Sequence, residues 1–115
     1  MSHLGRNSVD VLDERGYEVE EATVCHKRDG FQITIMVFSK DHTPAHAHVF
    51  DDNMKFEGKF KLEGSPPANA TGVAAYQTTI RDEIRTKIVA WANSTNIQGV
   101  NRWTAANIVW VALHP

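Results

Sequence analysis

Three of the six histidines in this 115-residue chain fall within one run of eight residues, Asp41-His42-Thr43-Pro44-Ala45-His46-Ala47-His48. The run follows an apolar stretch rich in β-branched residues, and Ala45 to Phe50 itself reads as a strand. Side chains two apart on a strand leave the same face, so His46 and His48 project together, ~6–7 Å apart at Cα. Two imidazoles in that relation can converge on one metal ion at ~2.0–2.1 Å, zinc or manganese being the ions that suit the donors. His42 and Asp41, just ahead of the strand, can fold back as further ligands or as groups that orient the first pair. The expected metal set is His42, His46 and His48. If the chemistry is acid–base catalysis, Asp41 and His42 are its candidates, since an imidazole titrates near neutrality. Pro44 holds Thr43 extended and so fixes the His42 turn against the strand entrance. The competing reading is structural: a hydrogen-bonded polar layer in which Asp41 and His42 tie down the turn. No second cluster of Cys or His adds a ligand from elsewhere in the chain.

The elements that must position these side chains follow from periodicity. Residues 17–25 alternate loosely, with Tyr17, Val19, Thr23 and Cys25 on one side, and Arg28-Asp29-Gly30 is a turn signal. Phe31 to Phe38 is apolar on both faces, as a central strand is. After the histidine strand and the Asp51-Asp52-Asn53 turn, residues 54–62 repeat with period two. Met54, Phe56, Phe60 and Leu62 are expected inward, and Lys55, Glu57, Lys59 and Lys61 outward. Ala45 and Ala47 would lie opposite the histidines, where small residues let a helix approach. Gly64 to Thr71, with Pro66-Pro67, interrupts the pattern and is expected to be the loosest connection. Beyond it the period becomes helical: Ile80, Ile84, Ile88 and Trp91 form one stripe, and Trp103, Ala106 and Trp110 another, giving helices near 78–95 and 100–111. Ser94-Thr95-Asn96 ends the first helix and offers a cap for the second. Strands followed by helices predict an α+β fold, an antiparallel sheet of about four strands with two helices packed on one face. A polar N-terminal tail is expected over 1–16 and a single domain over 17–115.

Composition narrows the function. Hydrophobic residues at 42% and charged residues at 23% are ordinary globular usage, and a net charge of −2 gives no general pull toward nucleic acid. Lys55, Lys59 and Lys61 form a basic edge interrupted by Glu57, so nucleic-acid contact is not favoured. The single cysteine, Cys25, excludes an intrachain disulfide and a four-cysteine zinc site. Its pairing with His26 as nucleophile and base is disfavoured because adjacent strand residues point to opposite faces. No apolar run is long enough to span a membrane at ~20 helical residues, so a cytoplasmic location without membrane contact is expected. Phosphate loops, Gly-x-Ser-x-Gly elbows and His-Glu-x-x-His helices do not occur.

The stretch from Ile33 to Trp103 resembles the small bacterial domain-of-unknown-function family 4160, whose members are often associated with toxin–antitoxin loci. The resemblance rests on an apolar strand leading into an Asp-His-x-Pro-Pro-His-Phe-His-like motif, here Asp41 to His48. It extends to a helix with a Trp, an Asn about five residues on and a second Trp, here Trp91, Asn96 and Trp103. Ala45 and Ala47 replace the family's second Pro and its aromatic, the connection over 64–79 is longer, and residues 1–28 extend beyond the family's usual start. The resemblance implies the fold and a protein partner of antitoxin-like or regulatory kind, but no established activity. Two functions therefore stand: an interaction or binding module with the histidine cluster as its working site, or a small metal-dependent hydrolase or nuclease built on the same strand.

Overall fold

The structure, a computed structural model, describes the backbone of residues 8–12 and 18–115 and the side chains from Glu21 onward. Five strands, β1 (Ser8–Leu12), β2 (Glu18–Cys25), β3 (Ile33–Phe38), β4 (His46–Asp51) and β5 (Phe56–Lys61), precede two helices, α1 (Asp82–Ala92) and α2 (Arg102–Leu113). The strands lie in one antiparallel sheet in chain order, β1-β2-β3-β4-β5. This is the α+β arrangement of sheet first and helices after. The apolar β3 takes the middle of the sheet. β1 falls within the stretch read as a tail; Val9 and Val11 alternate with polar neighbours there, and pairing it covers the otherwise open backbone edge of β2. Tyr17 lies outside the described residues.

One face of the sheet carries the core. Ile33, Ile35 and Val37 from β3, Ala47 and Val49 from β4, and Phe60 and Leu62 pack with Ile80, Ile84, Ile88, Trp91, Trp103, Ala106 and Trp110, all buried. Ala47 is fully buried in the core on the side away from the histidines. Both helical stripes read from the sequence point inward, although α1 starts later than its periodicity suggests: Ile80 is buried just ahead of the first turn. Asn101, not the Ser94–Asn96 run, caps α2 by accepting from the Thr104 amide. Asn96 instead shapes the turn between the helices, its Oδ1 accepting from the Gln98 and Val100 amides.

Two register shifts overturn simple alternation. In β2 a shift between Thr23 and Cys25 sets Thr23 opposite Met36 but Cys25 opposite core-facing Ile35, so these two residues do not share a face. Across β4 and β5 a second shift places Val49 opposite Gly58 and Phe50 opposite Phe56. Phe56 is therefore on the outer face and 47% exposed, and Met54, in the preceding turn at φ 63, is 53% exposed; neither is inward as expected. The same shift turns Glu57 toward Arg81, whose guanidinium donates to both its carboxylate oxygens at 3.0 and 2.9 Å.

Hydrogen bonds tie the segment after β5 to the helical half of the chain despite its prolines and glycines. The Gly64 carbonyl accepts from Trp103 Nε1 at 3.0 Å and the Pro67 carbonyl from Asn93 at 2.8 Å. Arg85 donates to the Ala70 and Val73 carbonyls. Residues 74–76 then run back along β5, with the Lys61 amide donating to Ala74 and the Tyr76 amide to Lys59.

Gly58 makes the second shift feasible. It sits at φ 144, and a Cβ there would come within 2.7 Å of Ile80 Cγ1 and 3.0 Å of Thr78 Oγ1. Gly58→Ala is expected to cost about 2–3 kcal/mol of stability in urea melts, from backbone strain and overpacking together. A variant as stable as the wild type would contradict this account of the shift.

Candidate metal centre

β4 projects His46 and His48 from the sheet face opposite the core residues Ala47 and Val49, and the β3–β4 connection brings Asp41 over them. Asp41 Oδ2 lies 3.2 Å from His46 Nε2 and 2.9 Å from His48 Nε2. The three ligand atoms are all within 4.8 Å of one another. Ligands on a tetrahedral ion with bonds of ~2.1 Å lie about 3.4 Å apart, close to the 3.2 and 2.9 Å that separate Asp41 Oδ2 from the two ring nitrogens. Among the described residues this is the group of three His, Cys, Asp or Glu side chains with metal-ligand geometry.

The hydrogen bonds set the tautomer of His46. Its Nδ1 lies 2.8 Å from the Pro44 carbonyl oxygen, which can only accept, so Nδ1 carries the hydrogen. In the neutral ring Nε2 then directs its lone pair at a carboxylate oxygen, and two acceptors 3.2 Å apart attract only when a proton or a metal cation lies between them. A ligating histidine fixed through its other nitrogen by a carbonyl is the usual outer support of a metal site. The Thr43–Pro44 peptide bond is cis.

Aromatic rings wall the group. His46 lies 4.6 Å from the Tyr76 ring and 5.5 Å from Trp110, and His48 lies 4.7 Å from Phe38 and 6.0 Å from Phe56, centroid to centroid. The side chain of His46 is 4% exposed, whereas those of His48 and Asp41 are 20% and 24% exposed, so solvent reaches the group from the Asp41–His48 side. Burial lowers the pKa of His48 below its ordinary value, outweighing the pull of Asp41 in the other direction, and His46 and Lys59 add to the lowering. A neutral imidazole is the form a metal requires. The last turn of α2 anchors Asp41 from behind: His114 Nε2 lies 2.9 Å from its carbonyl oxygen, and the His114 ring stacks on Trp110 at 3.7 Å.

Of the residues singled out from the sequence, Asp41, His46 and His48 come together and His42 does not. His42 is exposed and lies outside the three-ligand group, because the chain reverses at Thr43-Pro44 and only Asp41 turns back over β4. Asp41, read as a catalytic candidate, occupies the place expected for His42. Tyr76, Trp110 and His114 were not connected with the site by sequence; their separation along the chain hides a proximity that only the fold creates. Lys59, from the basic edge, donates to Gln77 Oε1 at 3.1 Å and lies over the Tyr76 ring at 5.5 Å. Cys25 is fully buried, and burial first, then the nearby Asp29, pushes its thiol up to about 12.

Comparison of the chain with protein-family models, with curated proteins and with solved structures gave no match. Among the described residues no helix is long and apolar enough to cross a membrane.

Two outcomes follow from the electrostatics. A thiol reagent at pH 8 should label Cys25 no faster than the protein unfolds; fast labelling of the native chain would contradict its burial. In the metal-free protein His48 is neutral, folded or unfolded, well above pH 6.5 and contributes no pH dependence there. As the pH falls below 6.5 the unfolded chain takes up the proton first, so stability is lost until the pH passes the lowered native value. Chemical melts across this range should show a shallower loss for His48→Gln than for wild type, and parallel curves would contradict the lowered pKa.

Proposed function

We propose that this chain is a small binding module that holds one divalent transition-metal ion, zinc or manganese, on Asp41, His46 and His48. One observation carries the reading: the Pro44 carbonyl takes the Nδ1 hydrogen of His46, so its Nε2 faces Asp41 Oδ2 at 3.2 Å, with His48 Nε2 2.9 Å from the same oxygen. An ion there satisfies both, and takes the His48 nitrogen as its third ligand. Three protein ligands leave one position for a group from outside, which is how a module of this kind would engage a partner. A protein partner of antitoxin-like or regulatory kind, and the kinship with family 4160 from which it comes, belong to the same proposal. The solvent access on the Asp41–His48 side favours one second reading, in which the open position holds a water and the module is a metal-dependent hydrolase.

Protein purified without a histidine tag should bind one equivalent of zinc or manganese in calorimetry. Its thermal midpoint should rise with added metal and fall with chelator, by about 2.7 kcal/mol of stability at a hundredfold excess over Kd. His46→Ala and Asp41→Asn should abolish stoichiometric binding while remaining folded, whereas His42→Ala should leave it intact. If instead the cluster is a structural polar layer, His46→Ala will cost about 1–3 kcal/mol with no response to metal in any variant, and the proposal fails.

A further inference from the structure

Between β2 and α2 lies a second concavity, a cleft of about 530 Å³, a volume in the range of small-molecule sites. Its wall is graded along its length. α2 lines it with Arg102, Ala105, Val109 and Leu113, the stripe beside buried Trp103, Ala106 and Trp110. At 1.5 Å of rise per residue, Arg102 and Leu113 stand about 16 Å apart. The contact of Arg102 Nη1 with Asp29 Oδ2, 3.3 Å, fixes the cationic end of the helix beside His26 and Arg28, just past the end of β2. Ala22 and Val24 of β2 face the apolar part.

The charged groups collect at one end. Arg28 is exposed and makes no hydrogen bond or ion pair among the described residues. Arg102 spends one nitrogen on Asp29 and lies over the Phe31 ring at 5.7 Å, while its Nη2 makes no hydrogen bond and its Nε is buried without one. Two guanidinium groups against one carboxylate leave a single surplus positive charge, which complements a monoanion better than a dianion. Beyond that end, toward Leu113, the lining residues Ala105, Val109 and Ala112 carry no charge.

We infer that this cleft is a binding site for a small amphipathic monoanion, a medium-chain aliphatic carboxylate. Its carboxylate is held by Arg28 and the unpartnered Nη2 of Arg102, and its chain lies along Val24, Ala105 and Val109 toward Leu113. A carboxylate accepting from guanidinium forms charge-assisted hydrogen bonds, and the chain leaves water for an apolar wall.

The test is a titration of the tag-free protein with decanoate, below its micelle concentration, followed by amide NMR. Chelator is present throughout, so that no ion on Asp41, His46 and His48 can take the carboxylate. Saturable shifts are expected at Val24, Arg28, Ala105 and Val109. Arg28→Gln, a change at an exposed side chain, should weaken binding about tenfold. Decanol and decyl phosphate should both bind more weakly than decanoate. The inference is overturned if decanoate gives no saturable shift or shifts only residues around Asp41. It is overturned equally if decanol or decyl phosphate binds as tightly, or if Arg28→Gln binds like the wild type. None of these outcomes depends on whether the chain binds metal.

Discussion

Asp41 Oδ2 meets two imidazole nitrogens at once, 3.2 Å from His46 and 2.9 Å from His48, and with both rings neutral only His48 has a hydrogen free to give it. His46 has already turned its Nδ1 hydrogen to Pro44. A carboxylate and a bare imidazole nitrogen at that separation repel unless a proton or a metal cation joins them, and an unmet polar atom on a ring as buried as His46 costs folding free energy. The local structure is organised around meeting that demand. β4 sets the two rings side by side, Pro44 fixes the orientation of the first, and the β3–β4 connection delivers the carboxylate.

That geometry is rigid because the core lies directly beneath it. β4 is paired on both sides, and between the two histidines it drives Ala47 into the contact layer under the helices, fully buried. Trp110 serves both regions: it is buried among the core side chains and lies within ring contact of His46. One residue-turn further on, His114 stacks against it and reaches the backbone of Asp41. Displacing the end of α2 would therefore move the carboxylate, so the site's geometry and the packing of the second helix cannot vary independently. On the far side of the core, Trp91 donates to the Val24 carbonyl at 3.1 Å, which ties the bulged part of β2 to α1 and helps shape the wall of the cleft.

Much of this was legible in the sequence because it depends on period alone. The shared direction of His46 and His48 follows from their spacing on a strand, and the buried stripes of the helices follow from theirs. What could not be read depends on single-residue insertions into that period. Phe56 leaves the inner face because the strand shifts register at Gly58, and Thr23 parts from Cys25 for the same kind of reason. The choice of Asp41 over His42 turns on how the chain reverses at Thr43-Pro44, a matter of backbone path rather than residue type. Tyr76 reaches His46, and His114 reaches Asp41, across 30 and more residues of chain, and no local pattern announces contacts of that range. The strand Ser8–Leu12 was missed because the stretch around it is polar, although Val9 and Val11 alternate with Ser8 and Asp10 as residues of a strand do.

The tautomer of His46 is the point on which the account turns, and imidazole nitrogens can be observed directly. In protein labelled with ¹⁵N, long-range proton–nitrogen correlation spectra of the histidine rings should be recorded while zinc is added. The account predicts that His46 keeps its hydrogen on Nδ1 throughout, and that the Nε2 resonances of His46 and His48 move together to metal-bound positions at one equivalent. The exposed His42 ring should remain unchanged. Coordination through Nδ1 of His46, or two ring spectra that ignore the ion altogether, would contradict it.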